Sequence, residues 1–145
     1  MTELVREPAG DAKRSAALDD LAIRSLIARI AQLADTGEAD EYIRCFTADA
    51  RWEIPGDPRR GRADIQTASQ ARRDAGETGP GSATRHMVGT IAVDLDGDTA
   101  RATSYFQFFV HTDQAPQLSL VGQYDDRFVR TGEGWLLDQR RITLG

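Results

Sequence analysis

The part of the chain that follows His86 consists of four runs rich in aliphatic, aromatic and β-branched residues joined by short connections, and this feature restricts the fold most. Runs of this composition bounded by turn residues predict β-strands. Two connections, at residues 96–98 (DGD) and 132–134 (GEG), are typical of hairpins, so neighbouring strands should be antiparallel. The predicted strands are residues 87–95, 100–112, 118–130 and 135–144.

The first half of the chain carries helical patterns instead. Residues 17–35 present a broad apolar face at helical spacing, and Gly37 is suited to close this helix in a left-handed conformation. Residues 39–46 and 64–73 predict two further helices, with a short strand at 51–54 between them. Helices followed by long hairpins predict an α+β domain in which the helices cover one face of a bent sheet.

Size and charge limit what the domain can be and what it can bind. A chain of 145 residues forms one core, which we place at residues 17–145, after a flexible segment at residues 1–16. The net charge of -5 disfavours nucleic acid and anionic membrane surfaces as partners. Residues 1–13 contain no apolar run of the signal-peptide type, so we expect a cytoplasmic protein.

Several cofactor chemistries lack the residues that they require. The sequence has no glycine-rich phosphate loop, no dinucleotide fingerprint and a single cysteine, Cys45, which we interpret as a small buried hydrophobe. The only histidines are His86 and His111, and no carboxylates are spaced near them as further metal ligands. We therefore expect no metal and no other cofactor.

Asp35 and His86 stand out by their positions. Asp35 ends the predicted first helix, where the helix dipole disfavours a carboxylate, so either solvent or a nearby cation must compensate for its charge. His86 begins the first long strand, directly after residues 76–82 (GETGPGS), whose composition predicts a flexible loop and a candidate lid. Spacing alone leaves two interpretations of Asp35, a solvated helix end or a carboxylate partly buried at a pocket.

Five short segments spread over nearly the whole chain after residue 17 carry a family pattern. They are residues 27–35 (IARIAQLAD), 45–52 (CFTADARW), 84–86 (TRH), 122–128 (GQYDDRF) and 134–135 (GW). This pattern resembles the SnoaL-like branch of the nuclear-transport-factor-two-like superfamily, which also contains scytalone dehydratase, ketosteroid isomerase, limonene epoxide hydrolase and hexachlorocyclohexane dehydrochlorinase. The resemblance implies a cone-shaped, curved mixed sheet wrapped around three helices and enclosing an apolar cavity.

The same resemblance implies roles for three residues. In the dehydrochlorinase and dehydratase members, a carboxylate at the end of the first helix orients a histidine that removes a proton from the substrate. Asp35 and His86 resemble these two residues, and Arg140 resembles the arginine that assists the departing group in the dehydrochlorinase. The chain lacks secure equivalents of the second histidine and tyrosine pair of scytalone dehydratase and of the Asp-Arg-Asp set of the epoxide hydrolase, so the reaction itself is not named.

The leading hypothesis is a cofactor-free lyase or isomerase that acts on a small apolar or cyclic molecule, with Asp35, His86 and Arg140 as its catalytic residues. The alternatives are a non-catalytic ligand-binding or assembly module and the small subunit of a ring-hydroxylating dioxygenase. We also expect a homodimer that forms through the outer face of the sheet. Candidate residues of the cavity wall are Tyr42, Trp52, Met87, Tyr105, Phe109, Tyr124 and Phe128.

Overall fold

The structure, a computed structural model, describes residues 8–145 of the chain. Its helices and strands confirm the α+β class. None of the helices in this range is long and apolar enough to cross a membrane. The elements in chain order are α1 (Pro8–Thr36), α2 (Ala39–Ile43), β1 (Phe46–Ile54), β2 (Asp57–Arg60), α3 (Arg62–Asp74), β3 (Arg85–Asp96), β4 (Thr99–Val110), β5 (Gln117–Thr131) and β6 (Gly134–Leu144).

The strands form one six-stranded mixed sheet in the order β2-β1-β6-β5-β4-β3. Strands β3 to β6 pair as consecutive antiparallel hairpins, as their short connections predicted. Strand β1 runs parallel to β6, and Trp52 of β1 lies opposite Arg140 of β6. Strand β2 was expected to be part of a loop, because its four residues show no apolar alternation; it is held instead by pairing with β1.

Register shifts curve the sheet around the helices. The pairing of β3 with β4 slips between Gly89 and Ala92, where Thr90 has a φ of 50°, and a bulge of this kind bends a strand. Arg24 of α1 donates to the carbonyl oxygen of Ile91 at 2.9 Å, which ties the helix to the bulge. The expected curved mixed sheet with helices on its concave side is confirmed.

Helix α1 begins at Pro8, so the periodic apolar pattern placed its start too late. Residues 9–16 of these extra turns are exposed and contribute little apolar surface, which is why the pattern missed them. The flexibility expected of residues 1–16 stays a prediction, since residues 1–7 lie outside the described part. The core begins further along the helix, where Ile23, Ile27 and Ile30 are almost fully buried.

The ends of α1 and α2 differ from the prediction in their details. Gly37 follows α1 but does not have a positive φ, so a left-handed closure was the wrong expectation. A Cβ at Gly37 would lie 2.7 Å from the Cα of Leu33, so glycine is required here by close approach. Helix α2 ends at Ile43 and Phe46 already begins β1, because the fully buried Phe46 side chain packs as part of the sheet.

Candidate active site

A cavity of about 220 Å³ lies between the helices and the concave face of the sheet. Its wall is largely apolar and is built from all three helices and from β1, β3, β4, β5 and β6. Among its apolar residues, Phe106 and Tyr124 stack with ring centroids 4.4 Å apart. Exposed Glu77, with Leu120 and Leu144 at 41% and 50% exposure, marks the side on which the cavity opens to solvent.

Asp35 and His86 are in direct contact beside this cavity. Asp35 Oδ1 lies 2.7 Å from His86 Nδ1, and Asp35 Oδ2 accepts the backbone N–H of His86 at 3.0 Å. Because a carboxylate only accepts hydrogen bonds, the pair places the imidazole proton on Nδ1 and leaves the lone pair on Nε2. The hydrogen bond that the resemblance implied between these residues is present, and the His86 side chain lines the cavity.

The Asp35 carboxylate is buried although it ends a helix, with 3% of the residue exposed. The neighbouring helix α3 supplies a cation: Arg73 donates to the carbonyl oxygens of Leu33 at 2.9 Å and of Gly37 at 3.0 Å. These bonds satisfy carbonyl groups at the C-terminal end of α1 and place positive charge against the negative end of its dipole. The pocket interpretation of Asp35 is therefore the one that fits the structure.

Arg140 faces the same cavity and is locked in place by a buried ion pair. Its Nε and Nη2 donate to the two carboxylate oxygens of Asp126 at 2.8 and 2.9 Å, and its guanidinium carbon lies 3.8 Å from the centre of the Tyr124 ring. Burial opposes the charged form of Arg140, but the attraction and hydrogen bonds of Asp126 outweigh burial and raise its pKa. Arg140 is therefore a fixed cation whose Nη1 remains for a ligand.

Two phenols of the cavity wall are held in their neutral form. Burial raises the pKa of Tyr124 to about 12, although the nearby Arg140 opposes the shift. Burial also raises the pKa of Tyr42, against the attraction of Arg72 and Arg140. At neutral pH both hydroxyl groups can donate a hydrogen bond to a ligand, and neither is available as a base.

The structure divides the seven predicted wall residues into two groups. Tyr42, Trp52 and Tyr124 line the cavity. The other four, Met87, Tyr105, Phe109 and Phe128, do not line it.

Strand alternation explains the errors on β3 and β4. His86 and Phe106 face inward, so their neighbours Met87 and Tyr105 lie on the outer face, where they are 57% and 54% exposed. Phe109 likewise follows the lining residue Phe108. The assignment of Phe128 was wrong for a different reason, because its side chain has no exposed surface and belongs to the core.

Sequence reasoning missed polar residues that α3 and the following loop contribute to the cavity. Ser69 and Arg72 lie one helical turn apart on the same face of α3, which orients both toward the cavity. Glu77 and Thr78 border it from the loop that was predicted as a lid. The spacing of Ser69 and Arg72 was a usable signal, because residues three positions apart in a helix share a face.

A family model places the chain among known proteins. The model of the SnoaL-like domain matches residues 15–141. The uncharacterized protein Rv2910c of Mycobacterium tuberculosis is 32% identical over 127 residues, which cover 84% of this chain and 82% of that protein.

Solved structures share the architecture. An NTF2-like protein with a cystatin-like fold from Novosphingobium aromaticivorans superposes with a TM-score of 0.82 at 27% identity, over 97% of this chain and 91% of that chain. A candidate scytalone dehydratase from the same organism gives a TM-score of 0.76 at 17% identity, over 92% of this chain and 88% of that chain. At 17% identity, the similarity to the second structure concerns the fold alone.

Proposed function

Since the chain belongs to the family of SnoaL-like domains, we propose that it is a small-molecule lyase or isomerase in which His86 removes a proton from a carbon atom of the substrate. The fold is shared with NTF2-like proteins and with a candidate scytalone dehydratase. The substrate class that we propose is a cyclic molecule that fits the cavity, and the reaction needs no cofactor. A cavity of roughly 150 Å³ accepts benzene, so about 220 Å³ suits one or two rings.

The observation that carries this proposal is the double contact of Asp35 with His86. One carboxylate oxygen holds Nδ1 and the other holds the backbone N–H, so both the ring and its strand are fixed relative to the carboxylate. Asp35 thereby selects the tautomer with a lone pair on Nε2 and stabilises the imidazolium that forms when Nε2 accepts a proton. The low polarity of the surroundings strengthens this stabilisation.

The negative charge that remains on the substrate would be stabilised by other polar groups of the cavity wall. Arg140 Nη1 and the neutral hydroxyl groups of Tyr42 and Tyr124 are these groups. Because Asp126 already balances the charge of Arg140, we assign its effect to a directed hydrogen bond more than to net charge.

The test is deuterium incorporation. We expect the protein to catalyse exchange at the carbon beside the carbonyl group in a panel of cyclic ketones and β-hydroxy cyclic ketones in D2O, followed by mass spectrometry. Asp35→Asn should lower the exchange rate by about 100-fold or more, and His86→Gln should abolish catalysed exchange, as expected for a disabled general base.

His111→Gln is the matched control, because His111 is exposed at the turn after β4 and should leave exchange unchanged. A protein that binds ketones of the panel but exchanges none of them would instead favour the non-catalytic ligand-binding module. Exchange that persists at full rate in His86→Gln would exclude His86 as the base.

A further inference from the structure

Three arginine residues lie at or next to the cavity, and the guanidinium groups of two of them are engaged in hydrogen bonds with the protein. Asp126 pairs with Arg140, and carbonyl oxygens at the end of α1 accept hydrogen bonds from Arg73. Arg72 differs, since no ion pair or side-chain hydrogen bond involves its guanidinium within residues 8–145. Whereas Arg140 keeps only Nη1 for a ligand, Arg72 keeps all of its guanidinium N–H groups, since none of them bonds to the described residues.

The Arg72 guanidinium is nevertheless held in position. Its central carbon lies 4.9 Å from the centre of the Trp52 ring, and Trp52 is itself 9% exposed. This cation–π contact uses none of the guanidinium N–H groups, so they remain available to bind a carboxylate through two parallel hydrogen bonds. Arg72 is therefore preorganised for an anionic oxygen group.

A second donor stands beside it. Ser69 precedes Arg72 by one turn on the same face of α3, is 8% exposed and lines the cavity. A hydroxyl group and a guanidinium on one helical face match the several lone pairs of a carboxylate. Glu77 is the carboxylate residue of the described cavity wall; it is exposed on the open side and does not pair with Arg72.

The two ends of the concave face thus have different chemistry. Trp52, which contacts the Arg72 guanidinium, belongs to β1, whereas His86 belongs to β3, four positions away in the strand order. A ligand anchored by Arg72 would extend along the aromatic wall formed by Phe106 and Tyr124 toward the imidazole. The anchoring group and the reacting carbon are then separate parts of one molecule.

We propose that the natural ligand is a cyclic compound that bears a carboxylate group, bound by Arg72 and Ser69 with its ring against the aromatic wall. The placement of the reacting carbon near His86 rests on the proposed function, whereas the binding of the carboxylate does not. This separation allows the two proposals to be tested independently.

Titration calorimetry with 2-naphthoate and its neutral analogue 2-naphthamide tests the carboxylate site. We expect the wild-type protein to bind the acid more tightly than the amide. Arg72→Gln should weaken binding of the acid by about 10-fold or more, as expected for a charge-assisted pair, and leave binding of the amide unchanged. Ser69→Ala should weaken acid binding less, and Glu77→Gln should strengthen it because a repelling charge is removed.

Arg51→Gln is the matched control, since Arg51 precedes Trp52 on β1 but is exposed on the other face. Equal binding of acid and amide by the wild type, no binding of the acid, or an unchanged preference in Arg72→Gln would each overturn the proposal. Circular dichroism of each variant separates loss of binding from loss of fold. His86→Gln should still bind the acid more tightly than the amide. If the wild type shows this preference but catalyses no proton abstraction, the proposed function fails and the carboxylate site stands.

Discussion

The Asp35 carboxylate uses both of its oxygens on one residue, and this predicts an unusual effect of Asp35→Asn. The amide oxygen can still accept the backbone N–H of His86, which places the amide N–H₂ group against Nδ1. Nδ1 must then accept, so the proton moves to Nε2 and the base is lost through a change of tautomer. Nitrogen NMR of the imidazole should show the proton on Nδ1 in the wild type and on Nε2 in the variant.

The free energy of unfolding of Asp35→Asn should differ little from that of the wild type. Both hydrogen bonds to His86 keep a partner, and the variant removes a negative charge from the C-terminal end of α1, where the helix dipole disfavours it. Thermal unfolding of Asp35→Asn and wild type measures this. A large loss of stability together with an unchanged tautomer would show that Asp35 is structural and does not orient His86.

Because the pKa of Tyr124 is raised, we expect the protein to lose stability at high pH. Its pKa of about 12 in the folded protein exceeds the ordinary value of 10, so the native state holds this proton more tightly than the unfolded chain. The resulting stabilisation is complete below about pH 10 and disappears as the pH rises through about 12, a loss of roughly 2–3 kcal/mol. Urea unfolding of Tyr124→Phe across this range should show a smaller decline than the wild type, with Tyr105→Phe as the exposed control.

At the scale of elements, the candidate site depends on how α3 meets α1. Arg73 spans the two helices, and Gly79 in the loop after α3 packs against it so closely that a Cβ there would lie 2.9 Å from Arg73 Cγ. Sequence periodicity located both helices but could not show this contact, because a cap from another helix leaves no local pattern. The same limit applies to β2, which exists only through its pairing with β1.

The loop at residues 76–82 is more anchored than its composition predicted. The amides of Gly76 and Glu77 donate to carbonyl groups of α3, and the Ser82 hydroxyl donates to the carbonyl oxygen of Gly79 at 2.7 Å. Motion that opens the cavity should therefore be concentrated near Thr78, which borders it between these anchors.

Hydrogen exchange tests the expected lid. The amides of Thr78 and Gly81 should exchange much faster than those of β4 and β5 in the empty protein, and slow down when 2-naphthoate is bound. Protection at Thr78 equal to that of the strands in the empty protein would mean that the loop is a fixed part of the wall.

For the whole molecule, the order of patterns along the chain predicted the class and the antiparallel hairpins, because both follow from short-range alternation and turn residues. The family resemblance added the mixed, cone-shaped sheet and the pairing of Asp35 with His86, which are 51 positions apart and which no local pattern joins. Neither the sequence patterns nor the family resemblance showed which way individual side chains point near a bulge or an edge of the sheet. Met87 and Phe128 were assigned to the cavity because aromatic and apolar residues look alike whether they face a core, a ligand or a partner.

Two of the residues that were wrongly assigned to the cavity, Met87 and Tyr105, lie on the outer face of the sheet and lead to a prediction about assembly. Met87, Tyr105 and Val121 form an exposed apolar groove across β3, β4 and β5, with exposures of 57%, 54% and 43%. Apolar surface of this kind favours association, and a symmetric pair would cover it on both copies. We expect sedimentation at micromolar concentration to show a homodimer, and Tyr105→Glu to convert it to monomer, whereas Leu18→Glu, at a still more exposed position on α1, should not. A single 15.9 kDa species for the wild type would refute this, and dissociation by Leu18→Glu alone would place the interface on the helix.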